Sequence, residues 1–189
     1  MGNVKSTTKK ATAKKASGVA EGNSQLGKYF HDSIKDIYWA EKALTKALPK
    51  MKIAATTAEL KSTIEGHLGQ TQEHVSRLEE VFKLLGQKPQ AKKCDAMEGL
   101  IKESESIVEE TADGSMTRDV GIIMAAQKVE HYEIATYGGL ITLAETMGKS
   151  DVAQILEQTL SEEKKTDQDL SYIAENKINW EAEKEDEEN

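Results

Sequence analysis

One cysteine, two prolines and an aromatic content of 5% in 189 residues remove several fold classes at once. A lone Cys94 closes no disulfide within the chain, which excludes a disulfide scaffold and makes the cytoplasm the expected compartment. Scarce aromatics and few β-branched runs argue against a sandwich or a barrel. No apolar run approaches the roughly 18 to 20 residues that span a bilayer, and the basic start has no apolar stretch behind it. Neither secretion nor membrane insertion is expected. The chain also lacks a Gly-rich phosphate loop, a nucleophile elbow, a cysteine pair and an HExxH motif, which counts against hydrolase and nucleotide-enzyme readings.

What is present is Ala, Leu, Glu and Lys, in a chain with a formal charge of -8. The charge is unevenly placed. Residues 1 to 20 carry five Lys and no acid, whereas 181 to 189 carry six acids against one Lys, so the tails cancel and the body keeps the -8. An acidic body lacks the basic face that releases phosphate counterions, so nucleic acid is an unlikely partner except through the N-terminal lysines. Residues 1–22 have too little apolar surface to offset ordering entropy and read as a flexible basic tail. Residues 23–176 read as one helical bundle domain and 177–189 as an acidic tail.

The periodicity predicts four long helices. Helix A starts after Asn23-Ser24, carries Ile34, Ile37, Leu44 and Leu48 on one stripe and is expected to stop at Pro49. Thr56 and Glu59 suggest a capping box for helix B, whose seam (Leu60, Ile64, Leu78, Val81, Leu85) runs to Gly86 and Pro89. A second box at Asp95 and Glu98 opens a short connecting helix that ends near Asp113-Gly114. Helix C spans Met116 to Met147, and helix D runs from Ser150-Asp151 until it fades near Asn176. Two hairpins joined by a long connection with its own short helix form the ferritin-like four-helix bundle, with one long crossover.

Each seam is broken by polar residues at mid-length. The stripe of helix A includes Glu41, and that of helix B includes His67, Thr71 and His74, with Gln70 on the flank. Helix C contributes Gln127 and Glu130, with Glu133 one turn on; helix D contributes Glu163 and Thr166, with Asp167 beside them. A buried unpaired carboxylate costs several kcal/mol, so several in one bundle need compensating cations. Counting residues from the expected turns puts Glu41 level with His67, and Glu130 and Glu133 level with Glu163 and Asp167. Carboxylates with imidazole suit iron, manganese or zinc, and several bridging carboxylates favour two ions over one. The usual pair of Glu-x-x-His motifs is absent: helix B offers His67-x-x-Gln70 and helix D Glu163-x-x-x-Asp167. His31, His74 and His131 read as surface or edge groups. Tyr38, Tyr132 and Tyr137 read chiefly as packing.

The segments HDSIKDIYWAEKAL (31 to 44), AMEGLIKE (96 to 103), AAQKVEHYEIATYG (125 to 138) and LSEEKKTDQDL (160 to 170) resemble the YciE/YciF-type ferritin-like stress proteins of bacteria. The resemblance covers about residues 24 to 175. It implies a small cytoplasmic bundle, a homodimer, with a dinuclear metal site like that of rubrerythrin relatives. It places Glu41, His67, Glu130, Glu133, Glu163 and Asp167 in the family's polar positions. Position 70 departs, because Gln70 stands where the family typically has Glu, and an amide cannot bridge two cations as an anion. This points to weaker or single-ion binding there.

The leading functional expectation is a redox metalloprotein that binds iron or manganese and consumes oxygen or peroxide, with oxidase- or peroxidase-like turnover left open. The competing reading is a metal-free structural or interaction protein of the stress response. A third, lesser reading is DNA contact through the lysine tail.

Overall fold

The computed structural model describes residues 24–185, so the basic tail lies outside the described residues. Five main helices follow in order: α1 (Gln25–Ala54), α2 (Ala58–Leu84), α3 (Asp95–Glu110), α4 (Met116–Thr146) and α5 (Ser150–Ile173). A π-helical segment, Ala174–Ile178, and a short α6, Asn179–Ala182, complete the chain. Among the described residues none is in a strand, and no helix is long and apolar enough to cross a membrane.

Capping explains most of the helix starts. Ser24 accepts from the Gly27 amide and Ser115 from the Arg118 amide, each satisfying an orphan donor of the first turn. Two caps lie one residue away from their expected places. Thr57, not Thr56, accepts from the Leu60 amide, while the Thr56 hydroxyl donates to the Ser115 carbonyl. The Cys94 thiol, not Asp95, caps α3 by accepting from Met97. Gly148 follows α4 with a φ of 71°, a left-handed turn that glycine adopts without strain.

Two ends differ from the sequence expectation. α1 does not stop at Pro49 but continues to Ala54. A proline removes one helical hydrogen bond and crowds the preceding turn, yet the next turn still has apolar surface to bury: Met51 and Ala54 pack on the core and Ala55 is buried. The helix also continues past Asn176, because widening to a π turn brings Ile178 into the core with no exposed surface. The first part of the acidic tail is therefore structured. Glu185 accepts from the Met116 and Thr117 amides at the α4 N-terminus, where a carboxylate is favoured by the helix dipole.

The bundle is closed by α1 on α2, α2 on α5, α5 on α4 and α4 on α1. Neighbours are antiparallel: Tyr38 bonds Glu79 while Lys52 pairs with Glu65, and Gln70 meets Thr166 while Arg77 meets Thr159. The crossover starts where Gln87 meets His31, near the beginning of α1. It ends where Ser115 accepts from the Thr56 hydroxyl, beyond the end of α1. It therefore travels the length of the bundle, with α3 packed across α1 and α4. Gly121 is where α4 passes closest, since an added Cβ would lie 2.5 Å from Ile107 Cγ2 of α3. Gly121→Ala is expected to lower stability by about 1–2 kcal/mol, the clash outweighing a gain of ~1 kcal/mol in helix propensity. Chemical denaturation measures the difference.

Candidate metal centre

The polar seam residues meet inside the bundle. Glu41, His67, His74, Glu130, Glu133 and Glu163 are all buried, and the four carboxylates have at most 1% exposure each. They form two groups that share one residue. One half consists of His67, Glu130, Glu133 and Glu163; the other consists of Glu41, His74 and Glu163. Within each group, one ligand atom per residue lies within 4.8 Å of the others. His67 Nε2 is 3.3 Å from Glu130 Oε1, and His74 Nδ1 is 2.9 Å from Glu163 Oε1 and 3.6 Å from Glu41 Oε1. Each helix of the four-membered ring supplies at least one ligand atom.

Hydrogen bonding leaves this cluster unsatisfied. Among the described residues, eight buried side-chain atoms have no hydrogen-bond partner, and all belong to these six residues. Both oxygens of Glu133 and both of Glu163 are among them. Buried polar groups are almost always partnered, so eight in one place indicate room for groups that accept their lone pairs. Carboxylate oxygens and imidazole nitrogens together fit divalent iron or manganese. Four carboxylates also balance two divalent charges when both imidazoles are neutral. The inventory of four Glu and two His equals that of the usual dinuclear bundle site, although α2 here supplies both His and α4 supplies a Glu pair.

Neighbouring groups hold the ligands in place. His74 Nε2 lies 2.8 Å from Glu162 Oε2, and Arg77 grips the Glu162 carboxylate through two nitrogens at 2.6 and 2.8 Å. In the neutral ring, an Nε2–H donated to Glu162 leaves the Nδ1 lone pair facing Glu41 and Glu163. Tyr137 donates its hydroxyl to Glu41 Oε1, fixing that carboxylate from the α4 side.

A family model described as a domain of unknown function, DUF892, matches residues 25–183. The chain belongs to the DUF892 family. It is 44% identical to Protein YciF of Escherichia coli (strain K12) over 151 residues, covering 79% of this chain and 90% of YciF. The crystal structure of YciF, a stress protein of E. coli, matches with a TM-score of 0.78 at 41% identity over 82% of this chain and 98% of that one. YcfI of Rhodopseudomonas palustris, proposed there to be a structural protein, matches with a TM-score of 0.77 at 42% identity and the same coverage.

Of the site residues expected in this DUF892 chain, Glu41, His67, Glu130, Glu133 and Glu163 come together. Asp167 does not join them, whereas Gln70 stands at the edge of the His67 half. Gln70 hydrogen-bonds His67, and its Oε1 lies 3.4 Å from the Thr166 hydroxyl, which is as far from His67 Nδ1, while Asp167 lies half-buried to one side, 3.2 Å from Gln127 Nε2 and 3.3 Å from His131 Nε2. His74 corrects the expectation of a surface or edge group, since it has no exposure and stands in the Glu41 half of the cluster. Its place seven residues after His67 on the same seam was the available signal. The expected level of Glu41 with His67 also shifts. The Tyr38–Glu79 and Lys52–Glu65 pairs place Glu41 opposite position 76, two residues from His74 and nine from His67. Continuation of α1 through Pro49 moves the turn and hence the register. Of the three tyrosines, only Tyr137 bonds a cluster residue; Tyr38 bonds Glu79, and Tyr132 bonds Asp36 and sits 3.0 Å from the Cys94 thiol.

Electrostatics in the metal-free DUF892 chain follow from burial. Burial raises Glu41 above its ordinary 4.5, partly offset by His74, and raises Glu130 and Glu133 well above it with further help from neighbouring carboxylates. For His74, burial alone would lower the value, but the facing Glu163 and Glu41 outweigh it and push the ring up to about 10. Burial lowers His67. Groups raised on folding contribute stability in full below their unfolded values and lose it as pH rises through their folded values. His67 acts in the opposite sense, but Glu41, Glu130, Glu133 and His74 outnumber it. With chelator present, stability is therefore expected to fall between pH 5 and pH 8, by about 1.4 kcal/mol per pH unit for each proton by which the two states differ. Calorimetric melting at pH 5, 6.5 and 8 checks the sign.

Proposed function

We propose that this chain is a dinuclear metalloprotein of the stress response, holding two divalent iron or manganese ions in the bundle core. The observation that carries this reading is the concentration of every unpartnered buried side-chain atom of the described residues in six residues of cation-binding type. Glu41, His74 and Glu163 would hold one ion; His67, Glu130, Glu133 and Glu163 would hold the other, with Glu163 shared. Likeness to YciF, named a stress protein, supports the cellular context. The bound ions would supply electrons to an oxidant such as oxygen or peroxide.

The protein's own part is positional. Glu162, gripped by Arg77, sets the His74 ring, and Tyr137 sets Glu41. Surrounding apolar residues such as Ile37, Leu44 and Leu156 exclude bulk water and strengthen every charge interaction inside. The test is anaerobic calorimetric titration of chelator-treated protein with manganese(II) and iron(II), followed by elemental analysis. Two ions per chain are expected. A protein that refuses both metals overturns the proposal and favours the metal-free structural reading.

A further inference from the structure

A cavity of about 40 Å³ lies beside the His67 half of the centre. Leu48, Met51, Ile122 and Val129 line it, and His67 and Glu130 form its polar end. The lining also includes Ser104 of α3, whose hydroxyl donates to the Leu100 carbonyl at 2.9 Å and keeps its acceptor lone pairs. A water molecule needs roughly 10–15 Å³ and two to four polar partners. The space is large enough, and nine of its twelve lining residues are apolar, so most of the wall offers a molecule no hydrogen bond. Such a pocket favours a small uncharged molecule that needs no hydrogen bonds over a polar one of similar size.

The cavity also adjoins solvent on one side. Ala47 of α1 and Ile101 of α3 line both this cavity and a surface groove of about 480 Å³ between the two helices. These two side chains form the partition between the solvent-facing groove and the interior. The crossover helix therefore supplies part of the wall through which a small molecule reaches the centre.

We infer that this cavity is a docking site for an apolar diatomic oxidant of the size of dioxygen, entered between α1 and α3 past Ala47 and Ile101. The inference rests on the metal reading for its purpose, because a docked diatomic adjoins His67 and Glu130 of the proposed centre.

The test uses crystals of the full-length, chelator-treated protein under xenon pressure. One xenon is expected among Leu48, Ile122 and Val129, displaced by high-pressure dioxygen. Ala126→Leu, which fills the cavity from α4, is expected to cut xenon occupancy at least tenfold, while Ile101→Ala raises it. Absence of xenon from the wild-type protein overturns the inference, whether or not the variants fold. Xenon that high-pressure dioxygen does not displace overturns the choice of dioxygen. Because this readout needs no metal, a protein that binds xenon but refuses both metal ions shows that the metal reading failed and the cavity did not.

Discussion

Replacing Glu163 by Gln is expected to abolish binding of the second metal ion and weaken the first on the order of 100-fold or more, while the metal-free protein becomes no less stable. Glu163 is the one residue common to both halves of the centre, and both its oxygens are buried, with Oε1 2.9 Å from His74 Nδ1 and Oε2 4.0 Å from His67 Nδ1. The amide keeps the shape but loses the negative charge that bridges two cations. Without metal, the same substitution loses the contact with His74 Nδ1 but also removes one of four crowded carboxylates, and the relieved repulsion toward Glu41, Glu130 and Glu133 offsets the lost pair. Metal binding falls while metal-free stability holds, which a simple packing role does not produce. Titration calorimetry with manganese and thermal melting in chelator measure them separately. A variant that binds two ions normally, or that loses stability without metal, contradicts the assignment.

The second large effect is structural. Asp119→Ala is expected to lower stability by about 3 kcal/mol with and without metal. Asp119 is fully buried at the start of α4, and its two oxygens accept the Thr56 and Thr57 amides at 2.6 and 2.8 Å. Those amides open α2 and have no helical partner of their own. Removing the carboxylate forfeits two charge-assisted hydrogen bonds and leaves two partly buried donors orphaned. At this chain length the loss corresponds to roughly 6–12 °C in Tm. Asp119→Asn retains one acceptor and is expected to lose less. Denaturant unfolding of both variants checks the order. The same bonds fix the α1–α2 turn, so they also help to set Glu41 opposite His74.

Much of this arrangement was legible in the residues. The stripes through Ile34, Glu41 and Leu48, through Leu60, His67 and Leu78, and through Val152, Glu163 and Ile173 are all buried as their spacing predicts. The long segment between Gly86 and Met116 correctly implied a crossover. Periodicity reports which face of a helix is buried, but not the height of a residue along its neighbour. That height depends on where the helices turn. α1 passes through Pro49 because Met51, Ala54 and Ala55 bury apolar surface beyond it, and no local rule weighs that burial against the lost hydrogen bond. The shifted turn brought Glu41 to His74. Asp119 was illegible for a related reason: its partners lie 62 and 63 residues away, and an acid in a first helical turn is ordinary. Asp167 sits one turn beyond Glu163, yet it flanks the seam and is drawn toward Gln127 and His131 instead.

The charge of the body acquires a location from this structure. Four of its carboxylates lie in the core and have no cation from the protein sufficient to neutralise them: His74 faces Glu41 and Glu163, while burial keeps His67 toward its neutral form. On the proposed reading, protons and metal ions compete for these carboxylates.

Anomalous diffraction from crystals soaked in manganese(II), collected on either side of the manganese edge, tests this account most directly. Two peaks are expected in the core of each chain, one in coordination contact with Glu41, His74 and Glu163, and the other with His67, Glu130, Glu133 and Glu163. A core without anomalous density, or manganese bound only at surface carboxylates, would contradict the account.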